Sequence, residues 1–487
     1  MQLSLFSRVR TYITDHLALS FLLIFLTHLL FKSLYLDHSG FWYDETFGLY
    51  FSQQDWGLIK HTSEWDLNPP LYYYFLWIWR NLFGISEYSI RFSSVLFSSL
   101  AAGLVFVFSA RFFNLTTAFV ALLLFSASNE IFFYAHEARC YSIILFLALS
   151  SSYLLFLLLE KKSVAACILL GLVDFLLVYT HYLAGLLLLW QATVVLLYGK
   201  REVYKRVGIA FGVILVLAFW RFTYKTIYLI FHHEKSFWLG KPGVTDLKVT
   251  FFDFFNGETI FLICLFAFLA AFALNLLSIS GRSFLGKYKT QTVYLMLCGA
   301  GAILVTFAIS SFTPLFLKRY MLFTIPFMFI LLGLLISGLP GIIRYAGVAL
   351  MVVLSAIGFL HIDLRTPKHM QYREAMPLIK TLKTPQTAVL VQTRALNALF
   401  AYYYDKDIFK DFYHFDSLLH AQNIYPVSDP KDLAEVDLTK FNRVILTQTF
   451  ENMAPGGNDL PSTLLAVFRR ENAITRYEGV TIRVYNK

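Results

Sequence analysis

The stretch GFWYDETFGLYFSQQDWGLIKHTSEWDLNPPLYYYF, residues 40–75, sets five carboxylates among aromatic residues and a double proline: Asp44, Glu45, Asp55, Glu64 and Asp66. A carboxylate held at a membrane boundary costs desolvation energy, and the chemistry it is suited to there is proton acceptance. Three further stretches carry complementary groups. NEIFFYAHEARCYS (129–142) holds Glu130, His136, Glu137, Arg139 and Tyr141, and YTHYLAG (179–185) holds His181. FLKRYMLFTIP (316–326) holds Lys318, Arg319 and Tyr320. Acids, imidazoles and guanidiniums gathered at one level would combine proton transfer with the binding of an anion.

Each of these residues also has a plainer reading. Asp44 and Glu45 could simply cap a surface helix beginning near Thr46. Arg139, Lys318 and Arg319 could be cations reaching for the membrane interface, and His181 a satisfied buried histidine. Asp55 and Glu64 read as solvated. The recurrence of polar groups at one depth is what favours a site.

That depth is set by the rest of the chain. Of 487 residues, 57% are hydrophobic and 15% charged, which excludes an ordinary soluble domain. Apolar runs of roughly 17–25 residues recur, the length that spans a bilayer. They predict about eleven transmembrane helices, near 17–36, 89–110, 117–134, 141–159, 164–180, 183–199, 207–224, 259–279, 293–312, 321–338 and 346–362. The formal charge of +10 lies largely in short loops between these runs, as at Arg111, Lys161, Lys200, Arg201, Arg282 and Arg344. Such a pattern marks topology and not nucleic-acid binding. It puts the N-terminus in the cytoplasm, and the loop 37–88, the loop 231–258 and the C-terminal tail outside. The first run follows Arg8 and Arg10 and carries His28 and Lys32 without a small-residue cleavage site, so it reads as a retained anchor. Cys140, Cys167, Cys264 and Cys298 have no metal-ligand spacing and read as small buried hydrophobes.

Within loop 37–88, residues 46–62 have the mixed aromatic and polar pattern of a helix lying on the membrane surface. Asn68-Pro69-Pro70 stops it and stiffens the return. From about 363 the pattern changes to strands (387–393, 442–450, 480–485) alternating with helices (373–383, 395–404, 462–472), a small α/β domain. It has no Gly-rich phosphate loop. The expected division is therefore 1–362, a membrane domain whose outer loop forms part of the site, and 363–487, an extracytoplasmic domain.

The ordered set WYDE (42–45), NPPLYYY (68–74), SIRFSSVLFSSLAAG (89–103), HEARCYS (136–142), THYLAGLLLLWQ (180–191), KRYMLFTIP (318–326) and YREAMPLIKTL (372–382) resembles the GT-C membrane glycosyltransferases. The similarity is to the bacterial branch related to protein O-mannosyltransferases and the lipid A aminoarabinose transferase. It runs over nearly the whole chain, with Asn68 where this group often has His, and His136 where it commonly has Gln. The resemblance implies a GT-C fold and transfer of a sugar from a polyprenyl phosphate to an extracytoplasmic acceptor, with inversion. It makes Asp44 the general base and Glu45 its neighbour that tunes it or orients the acceptor. Arg139, Lys318, Arg319, Tyr141 and Tyr320 would meet the donor phosphate, with Asp66, Asn68, His136, Glu137 and His181 binding substrate. The enzyme would sit in the inner, or plasma, membrane, with membrane lipids and the polyprenyl-phosphate sugar as partners and no nucleic acid. No cofactor is expected, and no spacing fixes three ligands for a divalent metal. The alternative is a transporter or flippase of a lipid-linked substrate without chemistry. Against it, no internal repeat is visible and the polar set gathers at one face.

Overall fold

The computed structural model describes residues 11–59, 68–161, 163–199, 201, 203–210, 212, 240–365, 368, 370–449 and 459–487. They form two compact units. One comprises the described residues of 1–34, 63–71 and 91–363, the other those of 35–62, 72–90 and 364–487.

The first unit is helical. Six helices are long and apolar enough to cross a membrane: Glu87–Phe112, Tyr141–Glu160, Glu258–Leu277, Lys289–Ser310, Lys318–Ser337 and Gly341–Leu360. Shorter apolar helices cover Leu17–Lys32, Val164–Thr180 and Tyr182–Tyr198. The chain is a multi-pass membrane protein. Each apolar run of the sequence coincides with one of its helices, save 117–134, which is broken, and 207–224, most of which lies outside the described residues. The helix Ile325–Ser337 is buried along its whole length, whereas Glu258–Leu277 and Gly341–Leu360 turn Phe266, Leu277, Ile342 and Leu360 outward. Lipid is as apolar as leucine, so such exposure carries no penalty there.

The run expected as one helix over 117–134 is instead two, Leu115–Ser126 and Asn129–Ala135, bent by 61°. A break inside a bundle leaves backbone groups that must find partners. Ser128 accepts from the Ile131 N–H (3.4 Å), and Asn256 straddles the break, accepting from the Asn129 N–H (2.9 Å) and donating to the Ala127 carbonyl (2.7 Å). The bend launches residues 129–142, which carry five of the residues singled out above.

Mid-way along the helix Val164–Thr180 the sequence hides Asp174, fully buried. Ser151 donates to its carboxyl, Gln191 Nε2 donates to Ser151 Oγ (2.5 Å), and Ser152 Oγ lies 2.7 Å from the Tyr294 hydroxyl. Four helices are thereby tied by hydroxyls, an amide and one acid. Asp174→Asn keeps a polar partner for Ser151 and is expected to change the melting temperature little. Asp174→Leu orphans the network and should cost about 1–3 kcal/mol, read as a lowered melting temperature in detergent.

In the second unit five strands, β1 Thr387–Gln392, β2 Ile424–Val427, β3 Arg443–Gln448, β4 Arg470–Tyr477 and β5 Val480–Asn486, form one sheet in the order β2-β1-β3-β5-β4. β1 runs parallel to β2 and β3, with Leu390 opposite Leu446, and β5 runs antiparallel to β3 and β4. Ala388, Leu390, Val444, Leu446 and Tyr485 pack on Leu460, Leu464 and Phe468 of the helix Asp459–Phe468. That helix was expected to run on to 472. It stops because Arg469 adopts a left-handed conformation (φ 61°), and the chain continues as β4. β4 is an exposed edge strand rich in charge, a composition that blunts an edge but hides a strand from hydrophobic patterning.

The loop helix Tyr43–Phe51 belongs to this same unit. Phe41 N–H donates to the Tyr403 hydroxyl (2.5 Å), and Gln53 Nε2 donates to the Phe409 carbonyl (2.8 Å). Tyr50 packs its ring among Phe409, Phe412 and Phe415 at centroid distances of 4.8–6.1 Å. Arg80, on the helix Leu71–Phe83, donates to the Ser52 carbonyl (3.1 Å).

Candidate active site

Asp44 and Glu45 occupy the first turn of the helix Tyr43–Phe51, where the partial positive charge of the helix end favours carboxylates. They divide the work. Glu45 is fully buried and its Oε2 accepts from the Trp42 N–H (3.2 Å), which closes the helix start. Asp44 is half-buried. The capping reading of the sequence is therefore true of Glu45, three residues earlier than the expected start. Asp66 lies outside the described residues. Asn68 is half-buried and precedes the two prolines, after which the helix Leu71–Phe83 begins at once.

The other residues named from the sequence lie in the helical unit, and most converge. His181 ends the helix Val164–Thr180. Its ring meets that of Tyr320 at 4.6 Å between centroids, and Tyr320 meets Tyr141 at 6.4 Å. Tyr141 is 2% exposed and meets Tyr134 edge-on at 5.2 Å. The Arg319 guanidinium stands 5.8 Å from the Tyr320 ring centroid. Arg139 follows a tight turn closed by its own N–H to the Glu137 carbonyl (2.8 Å), and Ser94 Oγ donates to its carbonyl (3.3 Å). Glu137 and His136 are buried, with His136 against the Phe132 ring at 4.3 Å. The Tyr141 hydroxyl and His181 Nε2 are buried with no hydrogen-bond partner among the described residues. Buried polar atoms without partners are costly, and a ligand is one way to satisfy them.

Burial, with Arg139 and Arg319 nearby, pushes the His181 imidazole down to about 3. It is neutral at physiological pH and can serve as a hydrogen-bonding group, not as a cation. Unfolded, it would titrate near its ordinary value, so between about pH 6.5 and 3 the unfolded chain binds the extra proton. The stability due to neutral His181 is full above that window and is lost as pH falls through it. His181→Gln should flatten this part of the melting-temperature profile; an unchanged slope would refute the assignment.

Lys318 stands apart. Its ammonium is held by Glu130 (2.8 Å) and by Asp253 (2.5 Å), an acid to which no sequence signal drew attention. A phosphate would have to compete with both acids, so Lys318 is better placed to fix the segment beginning at Arg319. Lys318→Met leaves two half-exposed carboxylates facing one another and should cost about 1–2 kcal/mol, between exposed and buried ion pairs. Thermal melting in detergent measures it, and restoring the melt with Glu130→Gln would identify the cause. Among the described residues, no three His, Cys, Asp or Glu side chains stand together as metal ligands.

Two solved structures share this architecture along almost their entire length. ArnT from Cupriavidus metallidurans in the apo state superposes with a TM-score of 0.58 at 15% identity, over 96% of this chain and 98% of that one. The same protein bound to undecaprenyl phosphate superposes at 0.60 and 14% identity, over 95% and 97%. The chain has the GT-C fold. Within this GT-C protein, residues 67–224 match the model of the family described as dolichyl-phosphate-mannose-protein mannosyltransferase. No curated protein sequence matches it. The family match spans His136, Glu137, Arg139, Tyr141 and His181, and stops before Lys318, Arg319 and Tyr320.

Proposed function

We propose that this protein is an inverting glycosyltransferase that moves a sugar from a polyprenyl-phosphate donor to an acceptor on the extracytoplasmic side of the plasma membrane. The observation that carries the reading is the cluster of Arg139, Arg319, Tyr141, Tyr320 and neutral His181, in which Tyr141 and His181 are buried and the others half-buried. It is cationic and aromatic, and it holds hydrogen-bonding atoms that lack partners. A phosphodiester leaving as a lipid phosphate needs its growing charge met, and little acid help. The two guanidiniums can meet it in bidentate fashion, with the Tyr141 hydroxyl and His181 Nε2 as further partners. Asp44 takes the proton of the acceptor hydroxyl as its oxygen bonds to the anomeric carbon. The bond from that carbon to the phosphate oxygen breaks, and its electron pair leaves with the phosphate. Glu45, spent on the helix start, holds Asp44 in position. The family match and the fold both support glycosyl transfer.

One observation stands on the transporter's side, the mid-membrane Asp174. Ser151 donates to its carboxyl and Gln191 to Ser151, bonds that join three helices, which favours a structural role over a path. The test uses purified protein in lipid vesicles with radiolabelled polyprenyl-phosphate sugars and an envelope extract as acceptor. Label appearing in a product supports the reading. Label that crosses the bilayer without changing carrier would overturn it in favour of transport.

A further inference from the structure

The helix Leu17–Lys32 turns Leu19, Leu22, Leu23, Leu26 and Leu30 outward, and its buried residues are His28 (8% exposed) and Lys32 (2%). Four residues apart, the two share one face. Lys32 Nζ donates to Ser98 Oγ (2.7 Å) and lies 5.2 Å from the Phe125 ring centroid. His28 Nε2 is 3.1 Å from Ser126 Oγ, while its Nδ1 is buried with no partner among the described residues. No carboxylate among the described residues forms an ion pair with Lys32. An ammonium and an imidazole one turn apart, taken from water and met by two hydroxyls and an aromatic face, lack an anion. The C-terminal end of a helix does favour a cation. Lys32 nevertheless spends its hydrogen bond on another helix and not on its own carbonyls, and the end effect is small beside the desolvation of an ammonium.

The pair adjoins the cluster already described. Ser98 lies one turn beyond Ser94, which holds the Arg139 carbonyl. Phe31 packs on Phe132 (5.6 Å), which packs on His136 (4.3 Å). We propose that His28 and Lys32 bind a phosphate carried on a lipid, as a cationic station additional to Arg139 and Arg319. This rests on the lipid-phosphate reading above. Lys32 offers two further N–H groups to phosphate oxygens; because Ser126 Oγ donates to the Leu122 carbonyl (2.6 Å) and so accepts from His28 Nε2, His28 Nδ1 offers one only in the imidazolium form, which an adjacent phosphate favours. Since a hydroxyl and an aromatic face, and no carboxylate among the described residues, meet the ammonium, the site is expected to be held at the expense of stability.

The experiment compares wild type, Lys32→Met and His28→Gln, full-length in detergent, by thermal shift with undecaprenyl phosphate, undecaprenol or inorganic phosphate. Lys32→Met should raise the melting temperature of the ligand-free protein and weaken undecaprenyl phosphate at least tenfold, leaving undecaprenol unchanged. His28→Gln should weaken it severalfold, and serves if Lys32→Met does not fold. Equal binding of undecaprenyl phosphate by wild type and variants overturns this proposal and leaves the function above intact. If wild type ignores undecaprenyl phosphate, the donor reading fails. This proposal of a lipid-carried phosphate then falls with it, whether or not inorganic phosphate stabilises wild type.

Discussion

Asp44→Asn transfers label in the vesicle assay at least about a hundredfold more slowly than wild type, while its affinity for polyprenyl phosphate stays within about twofold. A positioned general base contributes roughly 10²–10⁴ in rate, or about 3–5 kcal/mol of barrier. An amide of the same shape cannot accept the acceptor's proton. Glu45→Gln is the informative partner. The amide oxygen can still accept from the Trp42 N–H, so the helix start survives and the rate should fall by much less. Glu45→Ala removes the cap, costs about 0.5–2 kcal/mol of stability, and should lower rate and melting temperature together. The contrast separates a residue that handles the proton from one that holds it in place. Transfer by Asp44→Asn at a third or more of the wild-type rate would remove Asp44 from the chemistry.

Arg319 carries the second large effect. Arg319→Ala should lower kcat/KM for the donor by about 10²–10³, the range for loss of one pre-organised group that meets developing charge. Arg319→Lys should recover little of it, because an ammonium lacks the planar fork that grips two phosphate oxygens and stacks on a ring such as that of Tyr320. The double variant Arg139→Ala/Arg319→Ala should lose less than the product of the single losses if both guanidiniums grip one phosphate, since groups sharing a partner couple. Donor-concentration series for wild type, Arg139→Ala, Arg319→Ala, the double variant and Arg319→Lys decide this. Multiplicative losses, or full activity in Arg319→Lys, would assign the two arginines to separate tasks.

Several features of the fold were open to reading along the chain. Apolar runs of bilayer length located the helices to within a few residues, because a membrane helix satisfies its own backbone and needs only length and hydrophobicity. The strands β1, β3 and β5 announced themselves by β-branched and aliphatic residues. β2, four residues long, and β4, charged and at an edge, did not, since both are strands only by virtue of their neighbours. Tyr141, His181, Arg319 and Tyr320 were named from three stretches of sequence, and it is packing that brings their side chains together.

The sequence by itself determined that the protein spans the membrane repeatedly, where its helices run, and which stretches could do chemistry. Each of those properties is written in residues a few positions apart. Only the tertiary structure decided what each charged group does. It spent Glu45 on a helix start and engaged Lys318 with acids 65 and 188 residues away. It buried Asp174 beside a hydroxyl and left His28 and Lys32 facing inward with no acid paired to them among the described residues. The role of a charge depends on the dielectric around it and on the partner within about 4 Å, and neither can be read from neighbours along the chain.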